Sequence, residues 1–169
     1  MPEAMIRRLV PSDAEAFATL RSASLADVPD AFAASPATDR FTNTDAVREL
    51  LDPAAPAPVL GAFRGDELVG AAGLFVPHHA KMEHKAVVWG TYVMPAARGS
   101  GLGEALMRAL VDAARAMPGI DWVALDVSVT AAAAHRLYER IGFSSWGLEP
   151  DGLRVAGRSI DVHHMGLRL

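Results

Sequence analysis

The chain has 169 residues, 51% of them apolar and 21% charged, which suits one domain with a real core and excludes wholesale disorder. It has no cysteine, so disulfides, thiolate zinc sites, iron–sulfur clusters and cysteine nucleophiles are excluded together. Sixteen Lys+Arg against 20 Asp+Glu give a net charge of −4 without a nucleic-acid footprint, and no apolar run reaches the ~18 residues that span a bilayer.

Residues 1–11 carry Arg7 and Arg8 with no apolar stretch after them, so they do not read as a secretion signal, and the expected compartment is the cytoplasm. Residues 5–10 read as a short strand stopped by Pro11. Ser12 or Asp13 offers an N-cap for a helix over about 13–27, with Phe17, Leu20, Ser24 and Leu25 at helical spacing. A loop over 28–44 leads to a second helix at 45–51, its apolar face made by Val47, Leu50 and Leu51. After the breaker cluster 52–58, the runs 59–63 and 67–76 flank Arg64-Gly65-Asp66 as a hairpin. A polar loop at 77–85 precedes a strand at 86–94 that Pro95 ends. The pattern over 101–117 is strongly helical, with Leu102, Leu106, Ala109, Leu110, Ala113 and Met117 on one face. A strand at 120–127, a helix at 131–141 and strands at 143–148 and 160–169 complete the chain. The order predicts an α/β domain spanning 1–169: a mixed sheet of about seven strands, an antiparallel meander followed by a parallel strand–helix–strand crossover, flanked by about four helices.

The sharpest motif joins the strand at 86–94 to the helix at 101–117: Arg98, Gly99, Ser100, Gly101, Leu102, Gly103 and Glu104. Glycines let backbone approach a ligand closely. The first N–H groups of a helix lack intrahelical partners and sit at the positive end of its dipole, which suits a phosphate, with Arg98 as an added cation. A Walker loop needs Lys-Ser/Thr after its last glycine, but Glu104 and Ala105 follow Gly103. A dinucleotide fingerprint fails as well, because its last position falls on Leu106 or Glu104. What matches is Arg-x-x-Gly-x-Gly at Arg98, Gly101 and Gly103.

That motif resembles the GNAT superfamily of acetyl-CoA-dependent N-acetyltransferases. About 30 residues on, Leu125-Asp126-Val127 and then Ala134-His135-Arg136-Leu137-Tyr138-Glu139-Arg140-Ile141-Gly142-Phe143 are similar to that family's second signature. The resemblance covers nearly the whole chain and implies the GNAT fold. It also implies transfer of an acetyl group from acetyl-CoA to an amine by direct attack in a ternary complex, without a metal. Thr91, Tyr92 and Val93 would offer backbone to the pantetheine arm, and Arg98 to Glu104 would hold the pyrophosphate, mainly through N–H groups. Tyr138 matches the tyrosine that protonates the departing thiolate, and Asp126 a carboxylate used as base in some relatives. The family's asparagine falls on Ala131, which has no amide, and Thr130 beside it reads as an N-cap.

Plainer explanations stand beside these roles. Tyr138 lies on the apolar stripe Ala134, Leu137, Tyr138 and Ile141, where a core tyrosine suffices. Asp126 alternates with Leu125 and Val127 and fits a solvated charge; Glu83 fits a loop glutamate. His78, His79, His84, His163 and His164 lack helical ligand spacing, so no metal site is expected. Gly90, just before Thr91, suggests a bulge. Gly142 and Phe143 look like a helix stop. A non-catalytic acyl-CoA-binding or sensor module is the alternative function, and Ala131 is its support. In the family fold the acceptor pocket draws on about 22–45 and 77–85, where Asp27, Asp30, Asp39 and Asp45 favour a cationic amine. Small-molecule, peptide and protein amines all stay open as acceptors. Homodimers are common in the family, but these residues show no interface signature.

Overall fold

A computed structural model describes residues 4–169; residues 1–3 of the N-terminal stretch lie outside the described residues. The elements are β1 (Ala4–Arg8), α1 (Ala14–Asp27), α2 (Thr44–Leu50), β2 (Val59–Arg64), β3 (Glu67–Phe75), β4 (Lys85–Val93), α3 (Leu102–Arg115), β5 (Trp122–Ser128), α4 (Ala132–Ile141), β6 (Ser144–Val155) and β7 (Arg158–Arg168). The strands form one seven-stranded sheet in the order β1-β2-β3-β4-β5-β7-β6. Every neighbouring pair is antiparallel except β4 and β5, which run parallel because α3 crosses between them. The predicted mixed α/β sheet with four helices is the observed one.

Alternation along the strands sends successive side chains to opposite faces. Leu60, Ala72, Val88, Val123 and Leu125 face α3 and α4, whose Leu106, Met107, Leu110 and Tyr138 complete one buried cluster. Val59, Ala71 and Tyr92 face the other way, against Phe17 and Leu20 of α1 and Val47 of α2. On α3 the buried stripe is Leu102, Leu106, Met107, Leu110, Val111 and Ala114. Ala109 and Ala113, expected there, are only partly buried, because the helix turns its larger Met107 and Val111 to the sheet, and Met117, also expected there, lies beyond the end of the helix.

Several local expectations change. Asp13 does not cap α1; residues Pro11–Asp13 form a 3₁₀ turn, and the Asp13 carboxylate bonds Arg7 at 2.7 and 2.8 Å and the Val10 N–H at 2.9 Å. Asn43 caps α2, accepting from the N–H groups of Asp45 and Ala46. Thr130 does not cap α4 either; its hydroxyl lies 2.8 Å from that of Ser128. Strand β6 runs on to Val155, beyond the predicted end at 148, because Pro150-Asp151-Gly152 forms an irregularity within the strand instead of a turn. Asp151 takes φ of 56° there, and the register shifts between Glu149 and Leu153.

Candidate active site

Two local features open the sheet between β4 and β5. The parallel ladder holds only from Lys85–Val87 to Trp122–Ala124 and then stops. Beyond it β4 bulges: Tyr92 pairs with Ala71 and Trp89 with Gly73, so Gly90 and Thr91 together oppose Ala72. Gly90 sits at φ of 66°, a conformation that costs a non-glycine residue energy, and this is the bulge its position suggests. The cleft that opens there is lined by Val88 to Thr91, Leu125 to Ser128, Ala31, Phe32, Ala131, Ala134 and Tyr138. Its volume is about 100 Å³.

Tyr138 reaches the cleft from α4, whose C-terminus is fixed by a Schellman stop. The Phe143 N–H donates to the Tyr138 carbonyl at 3.0 Å and the Gly142 N–H to the Glu139 carbonyl at 3.0 Å, with Gly142 at φ of 116°. The Phe143 ring packs edge-on against Tyr138, with centroids 6.1 Å apart. The hydrophobic contact of the helix stop therefore also orients the tyrosine. Burial pushes the Tyr138 phenol above its ordinary pKa, and the Thr91 hydroxyl draws it part of the way back. The phenol accordingly keeps its proton at neutral pH.

Thr91, Tyr92 and Val93 lie on the stretch of β4 released from β5. The Thr91 side chain faces α3, 3.6 Å from the Met107 sulfur. Tyr92 points to the opposite face, and its hydroxyl donates to Asp27 at 3.1 Å. The turn into α3 follows, with Gly99 at φ of 75° and Gly101 at 79°. Gly103 differs from them: a Cβ there would make only ordinary contacts, with Leu137 at 3.5 Å and Val93 at 3.7 Å. Neither helical backbone nor packing demands glycine at 103. Its absent side chain leaves the first turn of α3 bare.

The other predicted turn residues are engaged with the protein. Arg98 does not extend over the turn; Nε donates to the Val93 carbonyl at 2.8 Å and Nη2 to Asp27 at 2.6 Å. Ser100 donates to the Ala97 carbonyl at 2.8 Å, and Leu102 is in the core. The Glu104 carboxylate is bonded by Arg108 at 2.8 Å and approached by Arg140 at 3.3 Å, which hold its pKa below the usual range. Glu104 alone would oppose a phosphate; with these two arginines the local balance is positive. Arg64 adds a third cation, 3.3 Å from Ser100. Arg64 and Arg140 were not apparent as site residues, because each comes to the turn from a distant element.

Asp126 projects to the face away from α3, as its alternation implies. Its Oδ1 bonds His164 Nδ1 at 2.6 Å, while Nε2 of the same ring meets Glu149 at 2.8 Å. Trp146 stacks on the imidazole, with ring centroids 5.2 Å apart. The hydrogen bond to Asp126, helped by Glu149 and opposed by burial, raises the His164 pKa. A raised folded-state pKa stabilises the fold fully below the unfolded value of about 6.5 and loses that contribution as pH rises through the folded value. In thermal melts, the advantage of the native protein over His164→Gln is therefore expected to shrink as pH rises from below about 6.5 through the folded-state value; an advantage independent of pH would contradict the pairing.

The regions expected to shape the acceptor end contribute unequally. Ala31 and Phe32 reach the cleft, and no residue of 77–85 lines it. The acidity expected to favour a cation is neutralised within the protein. Asp27 pairs with Arg98, Asp30 with Arg158, Asp39 with Arg21 and Asp45 with Arg48.

Comparison with known proteins agrees with this architecture. The acetyltransferase (GNAT) family model matches residues 20–143. The acetyltransferase of GNAT family from Streptococcus pneumoniae superposes with a TM-score of 0.89 at 23% identity, over 99% of this chain and 100% of that one. The structure of yncA, a putative acetyltransferase from Salmonella typhimurium with its cofactor acetyl-CoA, gives a TM-score of 0.84 at 25% identity, over 99% and 94%. Spermidine N-acetyltransferase from Vibrio cholerae, in complex with CoA and spermine, gives 0.79 at 18% identity, over 98% and 95%. The family match spans both the glycine turn and the helix that carries Tyr138, and the chain belongs to the GNAT family of acetyltransferases.

Proposed function

We propose that this protein moves the acetyl group of acetyl-CoA to an amine by direct attack, with both substrates bound together in the β4–β5 cleft. The observation that carries this reading is one continuous path: the bare N-terminus of α3, the unpaired end of β4, and a protonated Tyr138 at the cleft. The chain's groups fit the cofactor along that path. The α3 N–H groups, with Arg64, Arg108 and Arg140 nearby, suit a pyrophosphate, and β4 from Thr91 to Val93 offers backbone to an amide-bearing arm. Acetyl-CoA supplies the activated acyl group. Arg98 acts here as a fastener between β4 and α1, and the backbone N–H groups provide the phosphate contact.

The amine must be neutral to attack. With a pKa of about 10.4, only roughly one part in 2,500 is neutral at pH 7, a deficit of about 4.6 kcal/mol. Asp126, at the cleft and anchored by His164, is the base assigned to remove the amine proton. Backbone donors of β4 stabilise the oxyanion, and Tyr138 gives its proton to the sulfur. Positioning two reactants in one cleft contributes about 7–11 kcal/mol, so binding geometry is the larger part of catalysis. Thiol release from acetyl-CoA with and without amines tests the reading. Amine-dependent release is expected; binding without release would favour a sensor module, for which Ala131 in the cleft wall is the supporting observation.

A further inference from the structure

Arg21 holds an idle hydrogen-bonding arm behind the acceptor end of the cleft. It lies on the inner side of α1, 8% exposed. Nε and Nη2 both donate to Asp39 Oδ2, at 3.1 and 2.6 Å. The other carboxylate oxygen of Asp39 accepts from the Phe41 N–H at 2.7 Å. Phe32 and Trp89 cover the guanidinium, with ring centroids 5.0 and 6.0 Å from its carbon. Nη1 is buried and finds no hydrogen-bond partner among the described residues. It is turned toward the bulge: a Cβ built on Gly90 would stand 3.6 Å from it. Phe32, Trp89 and Gly90 all line the cleft.

Buried donors are almost always satisfied, because an unsatisfied one forfeits its bonds to water and gains nothing in return. Asp39 balances the charge of Arg21 and leaves the two N–H groups of Nη1 unused. A fixed guanidinium edge of this kind fits a carboxylate better than any neutral acceptor. We propose that Arg21 Nη1 receives the carboxylate of the acceptor, so that the enzyme acetylates amines bearing an acid group close to the amine, the α-amino acids and their analogues. The proposal rests on the acetyl-transfer reading above. Phe32 follows a short turn, Pro29–Ala31, in a loop whose residues 35–38 are exposed. Its ring must tilt off the guanidinium for the carboxylate to reach Nη1. The surroundings agree with this class. Asp27 and Asp30 are bonded to Arg98 and Arg158, so neither carboxylate is free to draw a polycation.

The test compares rates of thiol release from acetyl-CoA with α-amino acids, with the same compounds as carboxamides, and with spermidine. A carboxamide has the less basic amine, which favours it chemically, so a preference for the free acid reports recognition. The native enzyme is expected to favour the acid by about 10- to 100-fold in kcat/KM, the worth of one hydrogen-bonded contact to a charged group. Arg21→Lys keeps a cation for Asp39 but has no second arm, and should bring that ratio close to one in a protein that still melts cooperatively. The native ratio stands as a test even where the variant does not fold. Equal use of acid and carboxamide by the native enzyme would overturn the proposal and leave acetyl transfer intact. A preference that persists in Arg21→Lys would overturn it too. No release with any of these amines, although acetyl-CoA binds, would overturn the proposal, and only the absence of transfer to peptide and protein amines as well would contradict acetyl transfer.

Discussion

Gly103→Val is expected to raise the KM for acetyl-CoA by about 10- to 100-fold while leaving the melting temperature near that of the native protein. The size follows from losing one contact between a backbone N–H and a charged phosphate, about 1.5–3 kcal/mol. The selectivity follows from the structure. Gly103 is inside α3, and a Cβ there would meet Leu137 and Val93 only at 3.5 and 3.7 Å. A Cβ at 103 thus costs the fold little, and the side chain beyond it obstructs whatever sits on the helix N-terminus. Gly101 is a less clean test, since at φ of 79° any replacement strains the backbone regardless of ligand. Arg98→Ala should raise the KM less than Gly103→Val, because its guanidinium is already bound to Val93 and Asp27. A larger effect from Arg98→Ala, in a folded protein, would contradict a phosphate cradle made by backbone.

Tyr138→Phe is expected to lower kcat by about 10- to 100-fold with little change in the KM for acetyl-CoA. General acid catalysis contributes 10²–10⁴-fold in typical cases. A thiolate with a pKa of about 8.5 leaves readily without help, which places this enzyme at the low end. The ring stays packed on Phe143, so stability should fall by no more than about 1 kcal/mol, the worth of a single hydrogen bond. A tyrosine that serves packing alone predicts the opposite division: kcat unchanged, with a small loss in the melt. Steady-state kinetics and a melt on the same two proteins decide between them.

Local sequence carried the parts of the site that local geometry builds. Gly90 before Thr91, Gly99 and Gly101 in the turn, and Gly142-Phe143 after an apolar stripe each impose a conformation over a few residues, and each is found where the residues imply it. Long-range pairing was not legible. The clamp of Asp126, His164 and Glu149 depends on the register of β5 on β7 and of β7 on β6, which no single segment specifies. Asp13 reads as a helix cap because its competing partner, Arg7, sits on the strand before it. Pro150-Asp151-Gly152 reads as a turn because breakers inside a strand look the same as breakers that end one. Arg21 did leave a trace: it stands four residues from Phe17 and four from Leu25, on the buried side of α1, where a solvated charge does not belong.

Thiol release under saturating acetyl-CoA, measured with and without an amine and paired with the mass of the product, tests the central claim most directly. The account predicts slow release alone, faster release with an accepted amine, and a product heavier by one acetyl group on nitrogen. The native protein should show the full effect, and Tyr138→Phe a reduced one at similar acetyl-CoA affinity. Release that ignores the amine, or tight binding with no transfer to any amine, would contradict it.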